Sequence, residues 1–507
     1  MRTLLGQEAD GLTVGVVTRH FARVEPAKRA LYDGVRSLSY GELDAESTAL
    51  AQALAGAGVK RGEVVCAYLP NCIDYVVVVL AVAKSGAIFS PVNPRYKGYE
   101  VGAILKQARP RLVFTTRAQA ETVRIAAADL NLDSRVVNVD DPSFAALLAG
   151  PKADLPAVGE SDFFSLMFTS GTTGEPKGAM ATHRARMVWV LNATIQYGLN
   201  ETDLYLGTMP QVHSAGLTFT LMHLYAGATV RILPHFDPTE FIAIVEREQV
   251  TSALTVPTML TMIVEEVDKA PQVSLASLKR LVTCGSPLPL TTKTRVLEKV
   301  SEQLYDYYGS TESNSMTVLR PADQLRKPES VGQAFRNVEL MIADEQGSAC
   351  PAGTVGEVWC ANPSAMSAYR DRPEDTARAF TGRWYHTGDL GFLDGEGFLH
   401  LVSRLSDVVI SGGVNIYPAE IEQVLMLHPS ILDAAVVGES DPKWGQRVKA
   451  FVVVRDGESL DLAAVQAHCA THLADYKKPR TVIFVPRLPK NAGGKTIKSA
   501  LVEGTHG

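Results

Sequence analysis

Short apolar runs alternate with longer stretches of helical periodicity along most of the chain. "GEVVCAYL", "RLVFTT", "TVRIL", "TSALTV" and "KRLVTC" read as strands. "SLSYGELDAESTALAQALAGAGV" opens on a candidate N-cap and continues with Leu and Ala at helical spacing, and "CIDYVVVVLAVAKSG" is apolar all round, as a buried helix is. A strand covered on both faces needs no polar alternation, and a helix between two such strands returns the chain to the same end of a sheet. The alternation predicts an α/β architecture of mixed, largely parallel sheets flanked by helices.

The texture changes after Arg404. From "SRLSDVVISGGVNIYPAEIEQVL" onward, about a hundred residues carry their own strand and helix signals in "DAAVVGE", "QRVKAFVVV", "LAAVQAHCATHL" and "TVIFV". A chain of 507 residues exceeds one ordinary core. We expect a large N-terminal domain over 1–404, built of several subdomains, and a small, mobile α+β domain over 405–507. The net charge of −6 leaves no global basic field for nucleic acid. The longest apolar run, Tyr75–Ala83, falls far short of the roughly 20 residues of a membrane helix. Six cysteines without a C-x-x-C pair predict reduced thiols and a cytoplasmic protein.

One stretch carries chemistry. "MFTSGTTGEPKGAM" follows the strand-like "DFFSLMF" and concentrates Thr169, Ser170, Gly171, Thr172, Thr173, Gly174 and Lys177. Glycines let several backbone N–H groups converge on an anion, hydroxyls add donors, and the lysine adds a mobile positive charge. The spacing is not that of a G-x-x-x-x-G-K-[ST] loop, because Pro176 stands where the second glycine would be.

Four further motifs follow in order: "YYGSTES" (Tyr307–Ser313), "WYHTGDLG" (Trp384–Gly391), "SRLSDVVISGGVNIYPAEIE" (Ser403–Glu422) and "LPKNAGGKTIKSAL" (Leu488–Leu501). With "TSGTTGEPKG" they resemble the signature set of the adenylate-forming superfamily, which includes acyl-CoA synthetases, and the resemblance covers nearly the whole chain. It implies ATP, Mg²⁺ and coenzyme A as partners of the reaction. It implies that Thr169, Ser170, Gly171, Thr172, Thr173, Gly174 and Lys177 hold the β- and γ-phosphates. Thr311 then contacts the α-phosphate and Glu312 ligates Mg²⁺. Gly285, Ser286, Pro287, Asp306, Tyr307, Tyr308 and Gly309 line the adenine pocket, with Tyr308 stacking on the base. Asp389 takes the ribose hydroxyls with Arg404 nearby. Lys495 bridges the carboxylate and the α-phosphate.

His213 in "MPQVHSAGL" lies near the acid by the same resemblance, with Ala215, Gly216, Thr283 and Cys284 as further walls of the acyl pocket. Ser406 matches the hinge about which the small domain turns between half-reactions. Gly412 and Gly413 would admit the pantetheine arm. Lys477 and Lys478 form a basic pair that a solvated face explains more simply than CoA phosphates. The expected reaction makes an acyl-adenylate from a carboxylic acid and ATP, then an acyl-CoA. Loading of an acyl carrier protein, a catalytically silent nucleotide-binding protein and a homodimeric state stay open. No residue marks the ammonium of an amino acid, since Phe236–Asp237 is a loose match, and no arginine marks a dicarboxylate.

Overall fold

The computed structural model describes residues 11–170, 176–270, 272–411, 414–490 and 496–502. The chain divides into two compact units. The first runs to Pro328 and adds Ala334–Glu339 and Ala361–Tyr385. The second takes Glu329–Gln333, Leu340–Cys360 and His386 onward.

The first unit is built on two large sheets. In one, the strands lie in the order Asn314–Leu319, Leu304–Ser310, Arg280–Cys284, Ser252–Thr255, Leu204–Gly207, Thr229–Ile232, Arg29–Tyr32 and Ser37–Ser39. Its interior pairings are parallel, and each of the two end pairings named is antiparallel. In the other, the order is Ala368–Tyr369, Pro176–Thr182, Phe163–Ser170, Ile88–Pro91, Val64–Tyr68, Leu112–Thr115 and Arg135–Asn138. Here too the direction reverses towards one edge, at the pair Phe163–Ser170 and Pro176–Thr182.

Local chemistry explains the elements. Val64–Tyr68 is buried at every position, as a central parallel strand requires. The helix Tyr40–Gly56 starts at a capping box: the Ser39 hydroxyl accepts from the Glu42 N–H while the Glu42 carboxylate accepts from the Ser39 N–H. Ile73–Ser85 is buried almost throughout and ends at Gly86 in the left-handed region, φ +75°.

The second unit holds most of the sheet formed by Glu339–Ala343, Gly356–Ala361, Trp384–Leu393 and Leu399–Arg404. It also holds a sheet of Val414–Ile416, Val409–Ser411, Gly445–Val454, Ile431–Asp441 and Thr481–Phe484. The second of these is antiparallel except where Thr481–Phe484 joins Gly445–Val454. Val409, Ile416, Ile421, Leu425, Val436, Val448 and Val465 form its core. The second unit thus also takes in strands that precede the change of texture at Arg404. Short-linked antiparallel strands before Arg404 belong with the residues after it, and their brief alternation does not stand out in the sequence.

Candidate active site

In the first unit the expected site residues gather at two antiparallel strand pairs. Phe163–Ser170 and Pro176–Thr182 pair antiparallel, with Ser170 opposite Pro176. Gly171, Thr172, Thr173 and Gly174 lie between these strands and outside the described residues. Thr169 and Lys177 face each other across the last described rungs of the ladder. The second reversal joins Leu304–Ser310 to Asn314–Leu319 and carries Thr311 and Glu312. It is tied tightly. The Ser310 and Ser313 hydroxyls each accept from the other residue's backbone N–H at 3.1 Å, and Met366 N–H donates to the Glu312 carbonyl at 2.7 Å. Asn362 Nδ2 donates to the Ser313 and Ser315 carbonyls. Gly309 is obligatory there, because a Cβ would lie 1.8 Å from the Asn314 carbonyl oxygen.

The two reversals meet at Glu312. Its Oε1 accepts from the Thr169 hydroxyl at 3.0 Å and from the Tyr369 hydroxyl at 3.1 Å. Burial and the Glu312 charge both raise the Tyr369 phenol, so it stays protonated and can only donate to that carboxylate. Lys177 Nζ lies 5.5 Å from the Tyr369 ring centre and 3.1 Å from Asp375 Oδ1. The result is a half-buried run of alternating charge with hydroxyl oxygens around one carboxylate. Such a hard, all-oxygen donor set fits Mg²⁺.

Other expected residues fall nearby in the same sheet or at its ends. Asp306 pairs in register with Thr283 on the adjoining strand, and Tyr307 with Cys284. Burial pushes the Asp306 carboxyl up to about 7, against the lowering effect of the Lys293 ammonium. Lys293 is itself buried and donates to the Pro328 carbonyl at 3.0 Å. The Thr283 hydroxyl is buried without a partner among the described residues. Burial pushes the Cys284 thiol up to about 12, so it is a neutral wall and not a nucleophile. The Tyr307 ring is buried and stacks on Phe219 at 6.2 Å. That ring belongs to the core. Gly285 turns the chain out of the strand at φ +94°, and Ser286 and Pro287 follow it to the surface side.

His213 occupies the N-cap position of the helix Ser214–Tyr225 without a side-chain capping bond, and burial together with the nearby Arg95 lowers its pKa and favours the neutral ring. The next turn is pinned from behind by Arg186, which is fully buried and donates to the Ser214 and Thr218 hydroxyls at 2.9 and 2.6 Å. Ala215 is partly exposed. The missing side chain of Gly216 admits the Pro210 carbonyl, which a Cβ would meet at 2.4 Å, so a close backbone contact by itself requires a glycine here.

In the second unit Asp389 and Arg404 stand opposite each other in an antiparallel pair, and Arg404 Nε lies 3.0 Å from Asp389 Oδ1. Asp389 is buried and Arg404 exposed. Glu357 supports this strand: one oxygen accepts from Gly388 N–H at 3.0 Å and the other from the Trp359 indole at 2.8 Å. Trp359 in turn stacks on His386, centres 4.0 Å apart. Ser406 sits in the short 3₁₀ turn Leu405–Asp407 and donates to Asp407. Lys477 holds Glu420 at 2.7 Å, and Lys478 pairs with Asp475, so both lysines have structural partners. Gly412, Gly413 and Lys495 lie outside the described residues.

Residues 18–370 match the model of the AMP-binding enzyme family, and residues 420–495 match that of the AMP-binding enzyme C-terminal domain. The chain belongs to the AMP-binding enzymes. This family is the adenylate-forming superfamily that the ordered motifs resemble, and the chain is therefore an enzyme with the fold of that superfamily. It is 36% identical to a feruloyl-CoA synthase of Amycolatopsis sp over 480 residues, 94% of this chain and 96% of the relative. It is 34% identical to a 2-succinylbenzoate–CoA ligase of Geobacillus kaustophilus over 484 residues, 95% of this chain and 96% of the relative. The o-succinylbenzoate CoA synthetase of Bacillus subtilis, solved with its acyl-adenylate intermediate, superposes with a TM-score of 0.87 at 28% identity, covering 96% of this chain and 97% of that one.

Sequence reasoning missed Tyr369, Asp375, Arg95, Lys293 and Glu357. The segment "AYRDRPEDT" falls between two of the quoted motifs, and only the fold brings Tyr369 and Asp375 to the phosphate-loop strand. Among the described residues no helix is long and apolar enough to cross a membrane.

Proposed function

We propose that this AMP-binding enzyme joins a carboxylic acid to coenzyme A through an acyl-adenylate. The observation that carries the reading is Glu312: one carboxylate gathers the strand that enters the glycine loop, through Thr169, and the segment carrying Tyr369. A carboxylate is a poor electrophile because oxide is its leaving group. Its oxygen attacks the α-phosphorus of ATP, the bond to the bridging oxygen breaks, and pyrophosphate departs. The thiol of CoA then attacks the acyl carbon, the acyl–oxygen bond breaks, and AMP leaves with the electron pair.

The first step crowds negative charge, so it calls for fixed cations and donors. Lys177 and the glycine loop hold the β- and γ-phosphates, and Thr311 faces the α-phosphate. Glu312 would hold Mg²⁺, which when bound would supply charge neutralisation for the phosphates. His213, kept neutral by burial and Arg95, orients the acid without adding a second charge to it. Asp389, steadied by Arg404 and by the Glu357 support of its strand, takes the ribose hydroxyls. Lys495 neutralises charge as the adenylate forms. Residues 1–404 act as the nucleotide and acyl domain and 405–507 as a mobile domain that pivots at Ser406 and offers the Gly412–Gly413 face for thiolation. The six free thiols suit a reducing compartment.

The test is pyrophosphate release against a panel of aryl, medium-chain, alicyclic and polycyclic acids, with and without CoA. Release that rises with CoA and yields a thioester supports CoA as acceptor; release that stops at one turnover with CoA points to a carrier protein. Lys495→Ala abolishes ATP–pyrophosphate exchange on this reading, and unchanged exchange overturns the assignment of that lysine.

A further inference from the structure

Lys177 is not waiting in solvent for a phosphate. Its ammonium lies 3.1 Å from Asp375 Oδ1, and both side chains are about four-fifths buried, at 18% and 20% exposure. Asp375 lies on the short helix Pro373–Ala379, nearly two hundred residues away in sequence. The same carboxylate also faces Arg372 Nη1 at 3.4 Å and Arg378 Nη2 at 3.5 Å. Three cations thus converge on one acid at the mouth of the phosphate-loop hairpin. Tyr369, whose ring flanks Lys177, donates its hydroxyl to Glu312. The Lys177–Asp375 pair and the candidate metal ligand therefore share one side chain as their spacer.

A carboxylate in this place has a definite consequence for a polyphosphate. It fixes the ammonium, and it also presents a negative charge where phosphate oxygens must come. The ammonium keeps further N–H donors, so a phosphate that binds Lys177 does so beside Asp375, sharing its charge with that acid and against Coulomb repulsion from it. When pyrophosphate leaves, the acid is at hand to reclaim the lysine.

We propose that Asp375 is a positioning residue that competes with the polyphosphate for Lys177: it holds the lysine in place before nucleotide arrives, and it weakens the grip on pyrophosphate so that the product departs. The proposal rests on the reading of the Thr169–Lys177 hairpin as the phosphate grip. It gives a sign opposite to ordinary loss of structure, because neutralising Asp375 strengthens polyphosphate binding.

The experiment is calorimetric titration of the full-length protein with inorganic pyrophosphate, and separately with ATP, each with Mg²⁺. The variants are Asp375→Asn, Asp375→Glu, Lys177→Gln and the Asp375→Asn/Lys177→Gln double variant. Asp375→Asn is expected to bind pyrophosphate about fivefold more tightly, the scale of one partly exposed charge pair. It is also expected to show stronger product inhibition by pyrophosphate, with Asp375→Glu near wild type. In the Lys177→Gln background the Asp375→Asn change is expected to have little further effect, because the two side chains act through each other. Equal or weaker pyrophosphate binding by a folded Asp375→Asn variant overturns the proposal, as does an undiminished effect without the lysine. Thermal melting monitors folding, and if Asp375→Asn does not fold, tighter binding by Asp375→Ser serves instead. A wild-type protein that binds neither pyrophosphate nor ATP overturns the phosphate-grip reading itself, and the proposal with it; wild-type binding without the tightening overturns the proposal alone.

Discussion

Gly309→Ala should damage the enzyme far more than its single methyl suggests. A Cβ at Gly309 would sit 1.8 Å from the Asn314 carbonyl oxygen and 2.8 Å from its carbon. Real Cβ contacts do not fall below 3.0 Å, so the two strands must part by at least about 1.2 Å. Neither side can yield cheaply. The atom opposed is backbone, and the turn is held by the Ser310–Ser313 bonds, the Asn362 amide and the Met366 N–H. The overpacking should cost about 1–3 kcal/mol of stability. The larger effect is positional, since Thr311 and Glu312 ride on this turn, and a displacement of about 1 Å at a reacting centre costs on the order of a hundredfold. ATP–pyrophosphate exchange with a competent acid should fall by roughly that factor while the folded fraction at 25 °C stays high. Gly178→Ala is the comparison: its Cβ meets side chains and no backbone, the end of Leu166 at 2.6 Å and the Phe168 ring at 3.1 Å, and side chains yield more cheaply than a carbonyl. Exchange within twofold of wild type for Gly309→Ala would refute the argument that this glycine sets the position of the turn.

Three further outcomes follow from the same geometry. Glu312→Gln keeps the shape but removes the charge that the Thr169 and Tyr369 hydroxyls address; exchange should drop by about 10²–10³ with little change in melting temperature, and restored rates at raised Mg²⁺ would mark the loss as metal binding. Asp389→Asn halves the acceptor capacity beside Arg404; it should raise the KM for ATP about tenfold with a smaller change in kcat, read by initial rates across ATP concentration. Asp306 has its folded carboxyl pushed up to about 7, so between about pH 4 and 7 the folded protein holds a proton that the unfolded chain has released. Stability contributed by this group is present at the acid end and falls as pH rises through that window; Asp306→Asn should flatten the slope, and melting curves at pH 5 and pH 8 that shift in parallel for both proteins would contradict it.

What the chain reveals in sequence is the part governed by local chemistry. The run Val64–Tyr68 reads as a strand because apolar residues fill it without polar alternation, and the fold buries every position. The Ser39 cap is visible because its Glu42 partner stands three residues on. The glycine loop and "YYGSTES" point to the family by their resemblance to its motifs, and the match to the AMP-binding enzymes agrees with that. Gly216 shows the opposite case. Beside His213 and Ala215 it reads as room for substrate, and only the fold places the Pro210 carbonyl in that room. Asp375 is harder still: within "RPEDTARAF" it is one acid of a helical first turn, and its meaning arises when the edge strand Ala368–Tyr369 pairs with Pro176–Thr182 and brings the helix after it to Lys177.

That pairing also explains why the site is where it is. The two sheets of the first unit are mostly parallel, and a parallel strand needs a long crossover before its neighbour can begin. Two chain reversals short enough to present backbone donors and adjacent side chains occur where Phe163–Ser170 meets Pro176–Thr182 and where Leu304–Ser310 meets Asn314–Leu319, both antiparallel. One reversal carries the expected phosphate loop and the other carries Thr311 and Glu312. A hairpin holds its ends by ladder hydrogen bonds, here up to Ser170 and Pro176 in one and up to Ser310 and Asn314 in the other. The Thr169–Glu312 bond then ties the strand of one hairpin to the turn of the other. A reaction that must hold a flexible triphosphate against a carboxylate needs this combination of short reach and stiff support. The rest of the α/β scaffold supplies the rigid ground on which two small turns can face each other.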